Sequence, residues 1–247
     1  MWDDAKQMNA LAVTLAVTAA LGLVSALVAY VVRQPAFAFS EVVVTTPLNR
    51  ANAAHLEAVI RAELTGTFFT MDLARARDAL DRVPWVRDAG LRRQWPNRLL
   101  VTIEEHEPLA RFNEGEFVDT QGEVFAAESR DELPLFLGPP ARAAEMAGRY
   151  RAWSDALRPL SLDIAEQRLS PRGGWRMRVA GADSALTLEL GREDADARLA
   201  RFVSAYRQTI GALARSGTRV ETVDLRYRNG YAVRVPAFRE KNVKPVA

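Results

Sequence analysis

From Ala10 to Val32 the chain runs 23 residues without a charge, most of them Ala, Val or Leu. As a helix rising about 1.5 Å per residue this segment is roughly 34 Å long, against a bilayer hydrocarbon core of about 30 Å. Such a run can be buried inside a protein, cleaved away, or placed in lipid. It has no polar face, which argues against a helix at the surface of a soluble core. A cleaved signal peptide has an apolar core of about 7–15 residues before a small-residue site, and this run is longer. The expectation is a membrane span over 10–32 after a short tail, 1–9. Arg33 and Gln34 end the run and Pro35 blocks its continuation; Tyr30 and Trp2 suit the two interfaces. Gly22 and Ala26 form a small-xxx-small pair able to pack a second helix, though such pairs arise by chance in an Ala-rich segment. Lys6 and the amino terminus stand against Asp3 and Asp4, with Arg33 on the other side. Charge bias therefore does not orient the span.

The rest of the chain narrows the chemistry by what it lacks. Its 33 basic and 31 acidic groups give a net charge of +2, and no basic stripe marks a nucleic-acid surface. Cysteine is absent, which removes disulfides, thiolate nucleophiles and cysteine metal sites together. The two histidines, His55 and His106, make a histidine metal site a poor expectation. No cofactor motif is present: there is no P-loop, no Gly-x-Ser-x-Gly and no zinc-ligand spacing. Glu104 and Glu105 face opposite sides of a strand, whereas a catalytic carboxylate pair must converge on one substrate. They read as a solvated strand end, with His106 beside them as a candidate pH-sensitive contact. A cell-wall hydrolase or transpeptidase would need a nucleophile with a neighbouring base, and no motif supplies one. The expectation is binding of other proteins, not catalysis.

The soluble part has α+β patterning. Ser40–Thr46 alternates as a strand; Asn52 then caps a helix with Leu56, Val59, Ile60 and Leu64 on one face. Asp72 caps a second helix that Pro84 stops. Ala89–Arg93 and the alternating Leu99–Glu104 give two strands around a turn at Trp95–Arg98. Beyond Pro108 come a hairpin with its turn near Gln121-Gly122, a short strand at Leu133–Leu137 and a helix over 141–157. Strands follow near Leu162–Leu169, Trp175–Val179 and Leu186–Leu190. A single long helix is expected from Asp194 to Ser216, then strands near Val220–Tyr227 and Tyr231–Val235, and a disordered polar tail over 237–247.

The β-α-α-β-β order of the first part resembles a POTRA domain. The resemblance is carried by Phe39-Ser40-Glu41-Val42, Phe68-Phe69-Thr70-Met71-Asp72-Leu73, Pro84-Trp85-Val86, Arg92-Arg93-Gln94-Trp95-Pro96 and the run Leu99–Pro108. Together with Leu190-Gly191-Arg192, Arg198–Phe202 and Val223–Gly230, these stretches are similar to the FtsQ/DivIB family of bacterial cell division proteins. The resemblance implies a POTRA domain over 37–108 and a second β-rich domain over 109–236, with helices packed on an antiparallel sheet. It also implies a single-pass inner-membrane protein with its folded domains in the periplasm, enriched at the septum. Its implied partners are an FtsB–FtsL pair and other division proteins such as FtsK, FtsW and the septal transpeptidase.

Asn229-Gly230 reads as a two-residue hairpin turn of type I′. The last strand, Tyr231–Val235, then lies at a sheet edge, where unpaired backbone groups can receive a partner strand. From the residues alone, Tyr227, Tyr231 and Val233 fit either a partner surface or the core, with Arg234 in solvent. The resemblance implies the former: Arg226, Tyr227, Asn229, Gly230, Tyr231 and Val233 fall in the region that receives the FtsB segment, and Arg172 matches a basic residue of the same site. An arginine there suits a bidentate contact with a partner carboxylate. The rival reading is a POTRA-bearing membrane-tethered chaperone or secretion component that holds extended polypeptides.

Overall fold

A computed structural model describes residues 5–63, 65–181 and 185–236; the tail expected over 237–247, the residues before Ala5, Trp2 among them, and Leu64 lie outside these. The chain divides into two compact units, 1–105 and 106–247.

The first unit opens with helix α1 (Ala5–Val32), within which Met8–Val32 is long and apolar enough to cross a membrane. Its Leu and Val side chains are largely exposed, so no protein core accounts for them. Strand β1 (Glu41–Val44), helices α2 (Ala53–Glu63) and α3 (Leu73–Leu80), and strands β2 (Val86–Gln94) and β3 (Arg98–Glu105) follow. Both helices start where the sequence places their caps. The Asn52 carboxamide oxygen accepts from the N–H groups of Ala54 and His55, and the Asp72 carboxylate from those of Ala74 and Arg75. The sheet order is β1-β3-β2, with β1 parallel and β2 antiparallel to β3. The period of two along β3 buries Leu99, Val101 and Ile103. Leu56 and Ile60 of α2 and Ala76 and Leu80 of α3 complete the core.

Glu105 is a departure from the solvated strand end. Its carboxylate accepts from the backbone N–H groups of Asn49, Arg50 and Ala51, at 2.8 Å from Ala51. Partial burial pushes its pKa up, but those three N–H groups and the Arg50 charge outweigh burial and hold it below the ordinary value. Glu104 stays exposed and pairs with Arg87.

The second unit is a nine-stranded sheet with helices against it. Its elements are β4 (Pro108–Phe112), β5 (Glu116–Asp119), β6 (Val124–Ala126), β7 (Leu135–Leu137), α4 (Ala143–Leu157), β8 (Asp163–Leu169), β9 (Trp175–Ala180), β10 (Ala185–Gly191), α5 (Ala195–Tyr206), α6 (Ile210–Arg215), β11 (Thr222–Asp224) and β12 (Ala232–Arg234). The order is β12-β11-β10-β9-β8-β7-β4-β5-β6. The sheet is mixed, where an antiparallel one was expected: β4–β7, β7–β8 and β10–β11 are parallel. The cause is connectivity. Helix α4 joins β7 to β8, and α5–α6 join β10 to β11, as crossovers that return the chain in the same direction. Trp153 of α4 donates from Nε1 to Asp196 of α5 at 2.6 Å and meets Trp175 of β9 edge to face at 5.2 Å. Arg149 lies over the Trp175 ring at 4.8 Å.

Two further expectations are corrected here. The long helix over 194–216 is two helices, broken at Thr209, whose backbone leaves the helical region (φ −119°, ψ −89°). The break lets Thr209 accept the Tyr231 hydroxyl on Oγ1 while its own hydroxyl donates to the Ala205 carbonyl. The apolar stripe survives it, with Leu199, Phe202 and Ile210 buried. His106, expected as a contact within an acidic cluster at the strand end, is buried instead: its ring stacks on Phe125 at 4.1 Å, and Nδ1 lies 2.8 Å from the Asp119 carboxylate. The other oxygen of Asp119 accepts from the N–H groups of Gln121 and Glu123, closing the β5–β6 turn. Asp119 and His106 thus brace a hairpin. Although Glu123 lies near enough to complete three ligand atoms within 4.8 Å of one another, both Asp119 oxygens are already engaged.

Candidate partner-binding edge

Strand β12 ends the nine-stranded order, and no described strand lies beyond it. It pairs antiparallel with β11, matching Thr222 to Arg234, Val223 to Val233 and Asp224 to Ala232. Ala232 and Arg234 are exposed while Val233 is half-buried against the core. One side of β12 therefore presents backbone N–H and C=O groups to solvent, the prerequisite for strand addition.

The connection into β12 is not the expected two-residue turn. It runs from 225 to 231, and neither Asn229 nor Gly230 adopts a positive φ, which a type I′ turn requires at both central positions. Asp224 and Arg226 shape the loop instead. The Arg226 backbone N–H and its Nε donate to Asp224 Oδ1 at 3.0 and 2.8 Å, and Nη2 donates to Oδ2 at 2.6 Å. The side-chain bonds from Arg226, outweighing partial burial, hold the Asp224 carboxyl below its ordinary pKa. Arg201 donates to the Arg228 carbonyl and fixes the far side of the loop on α5.

The expected site residues divide into three groups. Tyr227 is 57% exposed. Asn229 and Gly230 are exposed in the loop. Tyr231 and Val233 turn partly inward: both pack against the core, and the Tyr231 hydroxyl reaches Thr209. The core reading thus fits these two and the surface reading fits Tyr227. Arg226 and Arg172 lie on two segments that flank one cleft, which Arg226 lines and Arg172 does not. Arg172 is exposed at the tip of the β8–β9 hairpin, whose Ser170 and Gly174 line an open cleft of about 670 Å³ that Arg226 also lines. Five arginines and two glutamates line this cleft; Arg168, Arg176 and Arg226 are paired with Glu166, Glu189 and Asp224.

Sequence reasoning missed Gly191, Asp224 and Arg198 as parts of the site, although each lies in a stretch that carried the family resemblance. A glycine inside a strand marks a bulge or a close approach, and Gly191 is both. It has φ +76°, and a Cβ there would sit 2.7 Å from Arg198 Nη1 and 3.1 Å from Arg226 Cγ. The two arginines cross over β10 because Gly191 leaves them room.

Residues 110–226 match the family model described as cell division protein FtsQ/DivIB, C-terminal, and residues 37–106 match the one described as POTRA domain, FtsQ-type. The Cell division protein FtsQ of Nitrosospira multiformis is 35% identical over 95% of this chain and 99% of its own. That of Burkholderia pseudomallei is 36% identical over 97% of this chain and 96% of its own, and that of Bordetella pertussis 35% identical over 94% and 92%. The fold is a POTRA unit followed by a β-rich unit behind an apolar helix, and the chain belongs to the FtsQ/DivIB family of cell division proteins. The C-terminal family match stops at Arg226, so β12 and the loop before it lie past it, inside the stretch the full-length relatives cover.

Proposed function

We propose that the protein is a divisome scaffold of the inner membrane, with residues 1–9 cytoplasmic, 10–32 in the bilayer, and both folded units in the periplasm at the septum. It holds an FtsB–FtsL pair by adding an FtsB strand to the free edge of β12. It thereby links early division proteins such as FtsK to later ones, including FtsW and the septal transpeptidase. The observation that carries this reading is a sheet ending in β12 next to an arginine-lined cleft. Main-chain bonds to the edge supply affinity, and Arg172 selects a partner with a carboxylate beside its strand. The work is binding, with no cofactor and no chemical step.

Depletion in growing cells tests the proposal at its base: filaments without septa are expected, and normal septation contradicts it. The rival reading, a tethered chaperone, also uses a sheet edge. It differs in breadth, since a chaperone retains many extended peptides weakly and a scaffold retains one or two defined proteins.

A further inference from the structure

The first unit carries an aromatic cluster that its core does not absorb. Phe37, Phe68 and Phe69 form a chain of edge-to-face contacts at 5.3 Å each, and Phe68 meets Trp95 at 5.7 Å. Phe69 is 49% exposed and Trp95 67% exposed, a large apolar outlay for a polar face of a small domain. The position of the cluster is fixed by α1. The last carbonyls of a helix have no partner within it, and the Thr67 hydroxyl donates to that of Val32 at 2.6 Å. Phe68 and Phe69 follow Thr67 directly, and the Phe68 N–H donates to the Phe37 carbonyl at 2.7 Å. The exposed aromatics are therefore tied by hydrogen bonds to the end of the apolar helix.

Length puts that end at the lipid headgroups. The 25 residues Met8–Val32 span roughly 37 Å at about 1.5 Å per residue, more than the hydrocarbon core of about 30 Å and less than the 40–45 Å that includes the headgroups. Aromatic rings with one polar edge concentrate in that layer. Arg33 and Arg92, both exposed and both close in sequence to the cluster, add positive charge where anionic headgroups lie.

We propose that Phe69 and Trp95 seat the first unit on the lipid–water interface of the membrane that α1 crosses, so that this unit is held at the bilayer surface and does not swing freely on its tether. This rests on the membrane anchorage proposed above. The occupant is lipid because the patch is continuous with the end of the span.

The test uses the full chain, with Trp2→Phe to remove the other membrane-proximal indole, in vesicles of phosphatidylethanolamine and phosphatidylglycerol. Tryptophan quenching by acyl-chain-brominated lipid is measured. Trp85, Trp153 and Trp175 are buried and shielded from lipid. Clear quenching that falls at least twofold in a further Trp95→Ala variant is expected, together with reduced quenching of Trp95 in Phe69→Ser. Quenching that is absent before Trp95 is replaced, or unchanged afterwards, overturns the proposal and leaves the patch to a protein partner. Flotation with the vesicles is scored in parallel, because a chain that does not float fails at the anchorage itself. Trp95 is exposed in a turn, and a circular dichroism melt shows whether each variant remains folded.

Discussion

Single side chains organise the backbone in both units. Glu105 gathers three N–H groups ahead of α2. Replacing it with Gln keeps the size but removes the charge from those bonds, and a loss of about 1–2 kcal/mol is expected in urea unfolding of the first unit. The sign of the pH effect follows from the lowered pKa. The carboxylate stabilises the fold fully above its unfolded value of about 4.3, and the contribution fades as pH falls through the lower folded value. Wild type and Glu105→Gln should therefore converge in stability below about pH 4, as paired melts would reveal. Gly191 plays a comparable part at the candidate site. Gly191→Ala places a methyl against Arg198 and Arg226, and it should weaken partner binding at least as much as Arg226→Ala does, with β12 still paired. Calorimetric titration with the purified partner measures both.

Among the elements, β12 is the one on which the proposed function rests. Successive N–H groups of a strand point to opposite sides, so those of Ala232 and Arg234 face one side and that of Val233 the other. Proline removes a donor. Of Val233→Pro and Arg234→Pro, one should abolish partner binding with the unit still folded, and the other should disturb the pairing with β11. Alanine at Arg234 should change affinity less than tenfold, because the proposed contact is made by the main chain. The elements also mark how far sequence reading extends. The caps at Asn52 and Asp72 and the alternation of β3 were legible because local chemistry determines them. The break at Thr209 was not, since the apolar stripe runs on through it and the contact it makes with Tyr231 comes from a residue distant in sequence. The Asn229-Gly230 signal misled for a related reason: the Asp224–Arg226 bonds and the Arg201 contact shape a longer loop that turn propensity does not register. The burial of His106 was not legible because Phe125 and Asp119, which contact it, arrive from the following hairpin.

For the whole molecule, an apolar helix, a POTRA unit and a mixed-sheet unit form one chain of the FtsQ/DivIB family. Composition had already turned attention from catalysis to binding, and the position of β12 at the sheet edge was anticipated from its place at the end of the folded sequence. Of the arginines that line the cleft only Arg226 was singled out, while the glycine that makes room for it was read as family similarity alone. In the proposed scaffold, main chain at one edge binds the partner and charge selects it, so Arg172→Glu should cost more than Arg172→Ala, by about tenfold in Kd, if the partner brings a carboxylate. The central claim is that β12 receives a strand from a defined division partner. The most direct measurement replaces Arg234, exposed on β12, with a photo-crosslinking residue in growing cells and identifies what is captured. The account predicts one adduct, with a small single-pass division protein of the FtsB kind; a spread of unrelated envelope proteins, or no adduct at all, would contradict it.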